Sequence, residues 1–306
     1  MRDHKKFLLK SAVFILLNMF IWGWLLASKM ENLVPLNNKD TETHLFTIPK
    51  NEVYDFVLMG NSHAEAFAGG ESHALVESTL GMKFFSFAKR GAGILPEKIY
   101  LSYFFDQQNK TKYIVYFIDP FVMYSPKFNE KYPFDTEPYH NAVLLAMLQN
   151  GFEWHIASDY LTSNFDPRNH PSPQPSYTCG TNALASLDQN KIHSAMSDLY
   201  SDGMNRSRFK KYAVELSDQI SLSEQHGART IFIIPPYLWR HDPGRKELLG
   251  LLRQYEEQYG ITYYDFSNSI SDPTMYIDNT NHLSCKGVQY FTEQFLKPIF
   301  AGSENE

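Results

Sequence analysis

Val53-Tyr54-Asp55-Phe56-Val57-Leu58-Met59 runs without a break into Gly60-Asn61-Ser62-His63 and then into the helix-compatible AEAFAGG of residues 64–70. The first piece is short, almost continuously apolar, and rich in aromatic and β-branched side chains, which reads as a strand buried on both faces. A serine at the strand-to-helix junction sits where a sheet's carboxyl edge meets the free amides of a helix start. Its hydroxyl is then exposed, and nearby N–H groups are available to an oxyanion. Taken alone, Ser62 reads more readily as a helix N-cap than as a nucleophile. The motif is not the Gly-x-Ser-x-Gly elbow, because position 64 is Ala.

Four further apolar runs, at residues 82–87, 113–118, 230–234 and 261–266, have the same character. Segments with helical spacing separate them, notably 96–107, 208–226, 245–259 and 284–296. Strands alternating with helices predict an α/β domain over 52–300, a parallel sheet of about five strands covered on both faces, with ligands beyond the strands' carboxyl ends. Residues 121–205 break the alternation with a Pro-rich piece at 166–176 and a helical patch near 142–149, and read as a mostly helical or irregular insertion overhanging the site. A tail is expected at 301–306.

The second chemical signal lies near the C-terminus, in Tyr276-Ile277-Asp278-Asn279-Thr280-Asn281-His282-Leu283-Ser284. A histidine on a loop before the last helix can reach the same sheet edge, where a carboxylate a few residues earlier holds its ring and stabilises the imidazolium. His63, beside Ser62, is expected to face away if a helix starts there.

Together the two signals resemble the SGNH/GDSL hydrolase superfamily, in which the nucleophilic serine follows the first strand and an Asp-x-x-His pair precedes the last helix. The resemblance covers roughly 53–118 and 230–296. It implies a three-layer sandwich with a flavodoxin-like parallel sheet, Ser62 as nucleophile and His282 as general base. Three departures stand out. Asn61 replaces the family's Asp. Asp278 lies four residues before His282 with Asn279 at minus three, so either the loop bulges and Asp278 serves, or Ser62 and His282 act as a dyad. For the oxyanion the resemblance implies the Ser62 amide with Gly91 or Gly93 after the second strand, but Asp119 stands after the third strand where the family has Asn. Losing one such donor costs about 3 kcal/mol of transition-state stabilisation. Asn61 and Asp119, with Tyr237 and Arg240 after the fourth strand, are the expected substrate contacts.

Residues 7–27 form an apolar run interrupted only by Lys10, long enough to cross a hydrocarbon core of about 30 Å. Arg2, Lys5, Lys6 and Lys10 precede or open it and Lys29 is nearly alone after it, which places the N-terminus in the cytoplasm. Residues 1–30 therefore read as a transmembrane anchor rather than a cleaved signal peptide, and 31–51 as a tether. The charge of −6 and the lack of a basic patch argue against nucleic acid. Aromatic residues make up 15% of the chain and read as core, with a sugar-stacking surface as the alternative. Cys179 and Cys285 are the only cysteines, which excludes a cysteine-built zinc site and leaves them either bridged or unpaired. No cofactor or metal is expected.

This layout resembles the D protein of teichoic-acid D-alanylation systems and acetyltransferases acting on exopolysaccharide or peptidoglycan. The resemblance implies a bacterial cytoplasmic-membrane protein with its domain outside, passing an acyl group from a membrane-bound O-acyltransferase partner to an envelope polysaccharide. A carbohydrate or lipid esterase is the nearest alternative. A non-catalytic glycan-binding or assembly scaffold is the alternative of a different class.

Overall fold

The computed structural model describes residues 2–30, 48–132, 134, 137–150, 154–165, 179–180, 182–239 and 241–303. The helix α1 (Arg2–Met30) contains the apolar window His4–Trp24, none of which is buried against the rest of the chain. It is long and apolar enough to cross a membrane. The globular part begins earlier than expected. Ile48 is already in the core, and the Pro49 carbonyl accepts a bond from the Asn109 side chain.

Strand β1 (Val53–Gly60) is followed by α2 (Ser62–Glu65) and α3 (Gly70–Leu80), and β2 (Phe84–Ser86) by α4 (Ile94–Asp106). After β3 (Lys110–Phe117) come α5 (Pro126–Asn129), α6 (Asn141–Gln149), α7 (Trp154–Phe165), α8 (Gln189–Leu199) and α9 (Arg206–Gln225). Strand β4 (Arg229–Ile234) leads to α10 (Arg245–Tyr259). Strand β5 (Thr262–Asp265) leads to α11 (Cys285–Phe291), a π-helical turn at Thr292–Leu296, and α12 (Lys297–Ser303). The last helix thus runs past residue 300, where a tail was expected.

All five strands are parallel, in the order β2-β1-β3-β4-β5. Alternate residues explain their apolar sequences. Val57, Met59, Ile114, Tyr116, Phe232 and Ile234 enter one core with α4, α9 and α10. Phe56, Leu58, Val115, Phe117, Ile231 and Ile233 enter the other, with α3, α11 and α12. Strands β1 to β4 are buried on both faces and the edge strand β5 is half-buried, so no period-two polar pattern appears in the inner strands. β3 starts at Lys110, before the expected residue 113, because its first residues are polar and reach the rim, where Lys112 pairs with Asp55. The order reverses between β1 and β3, which opens a crevice at their carboxyl ends.

The expected insertion divides into two roles. Its Pro-rich piece at 166–176 lies outside the described residues, and its first part adds to the core. Val122, Tyr132, Tyr139, Val143, Met147 and Tyr160 extend the same core as α4, because their side chains are apolar enough to be drawn under that helix. Its last part lies along the 276–285 loop: the Leu184 amide donates to the Tyr276 carbonyl, and Cys179 is disulfide-bonded to Cys285. That bond joins residues 106 apart. By loop-closure entropy it removes about 4–5 kcal/mol of freedom from the unfolded chain.

Candidate active site

The junction after β1 depends on Gly60. Its φ is +144°, and a Cβ there would lie 2.7 Å from the Ala64 Cβ and 2.8 Å from the Phe117 carbonyl oxygen. Both clashes are with fixed atoms, so Gly60→Ala is expected to cost about 1–3 kcal/mol, read as a lower denaturation midpoint. An unchanged midpoint would mean that β1 and β3 part easily at this end.

Asn61 then caps α2, its Oδ1 accepting from the His63 amide at 2.9 Å. The Asn61 carbonyl takes the amides of Ala64 and Glu65. Ser62, half-buried, is the first residue of the helix, and its own amide has no intrahelical acceptor. The helix lasts one turn, shorter than the sequence implied, because Phe67 turns inward against Phe117 and Phe291.

The second half of the site is a loop closed by an antiparallel bridge between Tyr276 and Leu283. Within it Asp278 Oδ1 accepts from the Thr280 amide at 2.8 Å and the His282 amide at 3.3 Å, while Asn281 adopts a left-handed φ of +71°. Asn and Asp tolerate that region better than most residues. This bulge absorbs the extra residue between Asp278 and His282. As a result Asp278 Oδ2 lies 2.7 Å from His282 Nδ1, and His282 Nε2 lies 2.9 Å from Ser62 Oγ across 220 residues of sequence. With Nδ1–H donating to the carboxylate, Nε2 is left to accept the serine proton. Burial raises the Asp278 pKa, but bonds from His282 and Thr280 outweigh it and hold the group far below the ordinary carboxylate range. Asn279 plays no part in this chain. Its Oδ1 accepts the Asp188 amide and ties the loop to the end of the expected insertion.

A cavity of about 310 Å³ opens at this point, lined by Ser62, Glu65, Arg90, Asp278 and His282. Glu65 is buried and 3.8 Å from the exposed Arg90 guanidinium. Neither residue stood out in the sequence. The signal that could have marked them is placement alone: Glu65 one helical turn after Ser62, and Arg90 just beyond β2.

Asn61, Asp119 and Tyr237, expected to contact substrate, instead turn inward. The Asp119 carboxylate is fully buried and accepts from Asn61 Nδ2 at 2.7 Å and Tyr237 Oη at 2.7 Å, with His63 Nδ1 at 2.9 Å. Burial beside that carboxylate pushes the Tyr237 phenol pKa well up. A strand-end carboxylate among three donors is stable only when all of them point at it, which takes those side chains from the surface. His63 does not face away: it is buried beneath His282, with ring centroids 5.1 Å apart. Arg240 lies outside the described residues.

Of the expected oxyanion glycines, Gly91 sits half-buried with φ +77° in the Lys89–Ala92 turn, next to Arg90. Gly93 caps α4 and is needed for another reason, since a Cβ there would meet the Asn129 side chain at 2.8 Å. No protein-family model and no curated protein matches this chain.

Proposed function

We propose that this chain is a membrane-anchored serine acyltransferase of the SGNH type. In this reading it moves a short acyl group through an acyl-Ser62 intermediate onto an exported or envelope polysaccharide. The observation that carries the reading is the chain of contacts from Asp278 through His282 to Ser62, at 2.7 and 2.9 Å. Helices on both faces of a sheet ordered β2-β1-β3-β4-β5 support the three-layer SGNH sandwich. The strand-end serine and the pre-helix histidine support it at the level of sequence.

In the first step Ser62 Oγ attacks the donor's acyl carbon while its proton passes to His282 Nε2, and Asp278 holds the imidazolium that forms. The oxyanion is met by the Ser62 amide, with Gly91 as the second donor. Collapse breaks the bond to the donor's leaving group, which leaves with the proton from His282. A polysaccharide hydroxyl then attacks the acyl-serine, giving its proton to His282, and Ser62 Oγ departs and takes that proton back. The residues that line the cavity are all polar or charged, with no hydrocarbon side chain among them to hold a long acyl chain, which favours a short acyl group.

The apolar helix α1 with its cytoplasmic-side cations, and a disulfide in the domain that follows, favour an extracytoplasmic site at a membrane. A membrane-bound O-acyltransferase is then the natural donor.

The test uses the full chain in detergent micelles with acetyl and octanoyl esters, with and without an oligosaccharide acceptor. Expected are acetyl turnover at least about tenfold above octanoyl and acyl groups appearing on the acceptor. Rapid hydrolysis indifferent to acceptor would replace transferase by esterase. No turnover and no labelling of Ser62 by a serine-directed phosphonate would leave only the glycan-binding scaffold.

A further inference from the structure

The geometry points to His63 as a positioning residue: an imidazolium clamped between the Asp119 carboxylate and the Thr280 carbonyl, which holds the loop carrying Asp278 and His282 where His282 meets Ser62. The inference deepens the reading of Ser62 and His282 as nucleophile and base, and rests on it.

Both ring nitrogens of His63 face acceptors. Nδ1 lies 2.9 and 3.0 Å from the two oxygens of Asp119, and Nε2 lies 2.9 Å from the Thr280 carbonyl oxygen. A neutral imidazole has a single N–H, so one of these contacts would set a lone pair against an oxygen. Only the doubly protonated ring satisfies both. Burial works against the charge, but Asp119 by its field and its hydrogen bond, aided by the Thr280 carbonyl, raises the His63 pKa.

Among the described residues, the titratable groups facing His63 are Asp119 at the end of β3, Tyr237 after β4, and Asp278 and His282 on the loop. Glu97 and Asp242 act on Asp119 or its bonded partners from further away.

Thr280 is the pivot of the loop. Its amide donates to Asp278 Oδ1, and its hydroxyl lies 3.0 Å from His282 Nδ1. Fixing its carbonyl therefore fixes both partners of the catalytic contact. Asn281 Oδ1, which accepts the Leu238 amide at 2.7 Å, and Asn279 Oδ1, which accepts the Asp188 amide, are further ties and are uncharged. Beside the His282–Ser62 contact itself, the His63 tie joins the loop to the turn of chain that carries Ser62, so a shift of either half is transmitted to the other. Misplacement by about an ångström costs on the order of 100-fold in rate.

The test compares the wild-type full chain with His63→Ala, His63→Gln, Asp119→Asn and the His63→Ala/Asp119→Asn double variant, all in detergent micelles. Hydrogen exchange over residues 276–284 is expected to quicken about tenfold or more in His63→Ala while β4 keeps its protection. Phosphonate labelling of Ser62 is expected to slow by about 100-fold. His63→Gln, which still donates to the Thr280 carbonyl, should recover part of both. The double variant should be no worse than the poorer single one, because one device is removed once.

The sign of the pH effect is set by the raised value. The stabilisation is complete below the unfolded histidine value of 6.5 and fades as pH rises through the folded one. The melting difference between wild type and His63→Gln should therefore shrink from pH 6 to pH 9.

Unchanged exchange over 276–284, or wild-type labelling in a folded His63→Ala protein, would overturn the role. A wild-type chain that resists the phosphonate would count against Ser62 as nucleophile, and the exchange comparison would still decide whether His63 holds the loop.

Discussion

Ser62→Ala is expected to lower acyl transfer by roughly 10⁴–10⁶-fold and to abolish phosphonate labelling, while changing stability by less than about 1 kcal/mol. The two expectations follow from one geometry. Ser62 Oγ has His282 Nε2 as its side-chain partner at 2.9 Å, and the residue is half-buried at the mouth of the cavity. Removing the hydroxyl therefore deletes the atom that must form the acyl bond and leaves no buried donor stranded. His282→Ala should lose a comparable factor, and the double variant little more, since a nucleophile without its base and a base without its nucleophile fail at the same step. What remains is the contribution of the oxyanion donors and of binding. The measurement is single-turnover transfer of a radiolabelled acetyl group, with thermal melts run alongside. Transfer within tenfold of wild type by a folded Ser62→Ala protein would remove Ser62 from the chemistry.

The parts of this site that were legible in sequence are those encoded locally. An apolar run ending in Gly-Asn-Ser, and a histidine two residues before the serine that caps a helix, announce themselves within a dozen residues. The sheet was legible for the same reason: strands buried on both faces read as continuous apolar runs, and the helices between them keep their period. The parts that were not legible depend on contacts between distant segments. That Asp119 would take the side chains of Asn61, His63 and Tyr237 inward, and so away from substrate, follows from β3 lying beside β1 and β4, with partners 56 to 118 residues apart.

A helix does start at Ser62, yet His63 turns inward. A single turn, ended by Phe67 entering the core, leaves the ring free to point beneath His282. Composition alone does not tell an overhanging segment from a lateral extension of the core, and the tyrosines of 121–165 are amphipathic enough to suit either. The Cys179–Cys285 bond spans 106 residues and depends on α11 lying against the end of the insertion, which no local pattern encodes.

Asp278→Asn is the second change with a large expected effect, about 10⁴-fold in turnover, and it bears on the departure that made the sequence ambiguous. With the carboxylate four positions before the histidine, the usual three-position spacing is unavailable. The left-handed Asn281 and the two amides bound by Asp278 Oδ1 bring Oδ2 back to the imidazole instead. An Asn at 278 can still accept the Thr280 amide through its oxygen, so the loop should keep its shape. The amide nitrogen would then face His282 Nδ1 as a donor, favour the tautomer protonated on Nε2, and leave nothing to accept the Ser62 proton.

A Ser62–His282 dyad makes the opposite prediction, a loss of no more than about tenfold, so the variant separates the two schemes directly. Its pH behaviour offers a second reading. Because the folded pKa of Asp278 is depressed, the carboxylate's contribution to stability is present above the unfolded value of 3.8 and fades as pH falls through the lower folded value. With the side chain 40% exposed, that contribution is discounted by solvent. The melting curves of wild type and Asp278→Asn should therefore begin to approach one another only as pH falls below the unfolded value of 3.8, whereas the rate difference should persist at every pH where His282 can act as a base. A rate gap that closed together with the stability gap would mean that Asp278 serves the fold of the loop and not the tautomer of His282.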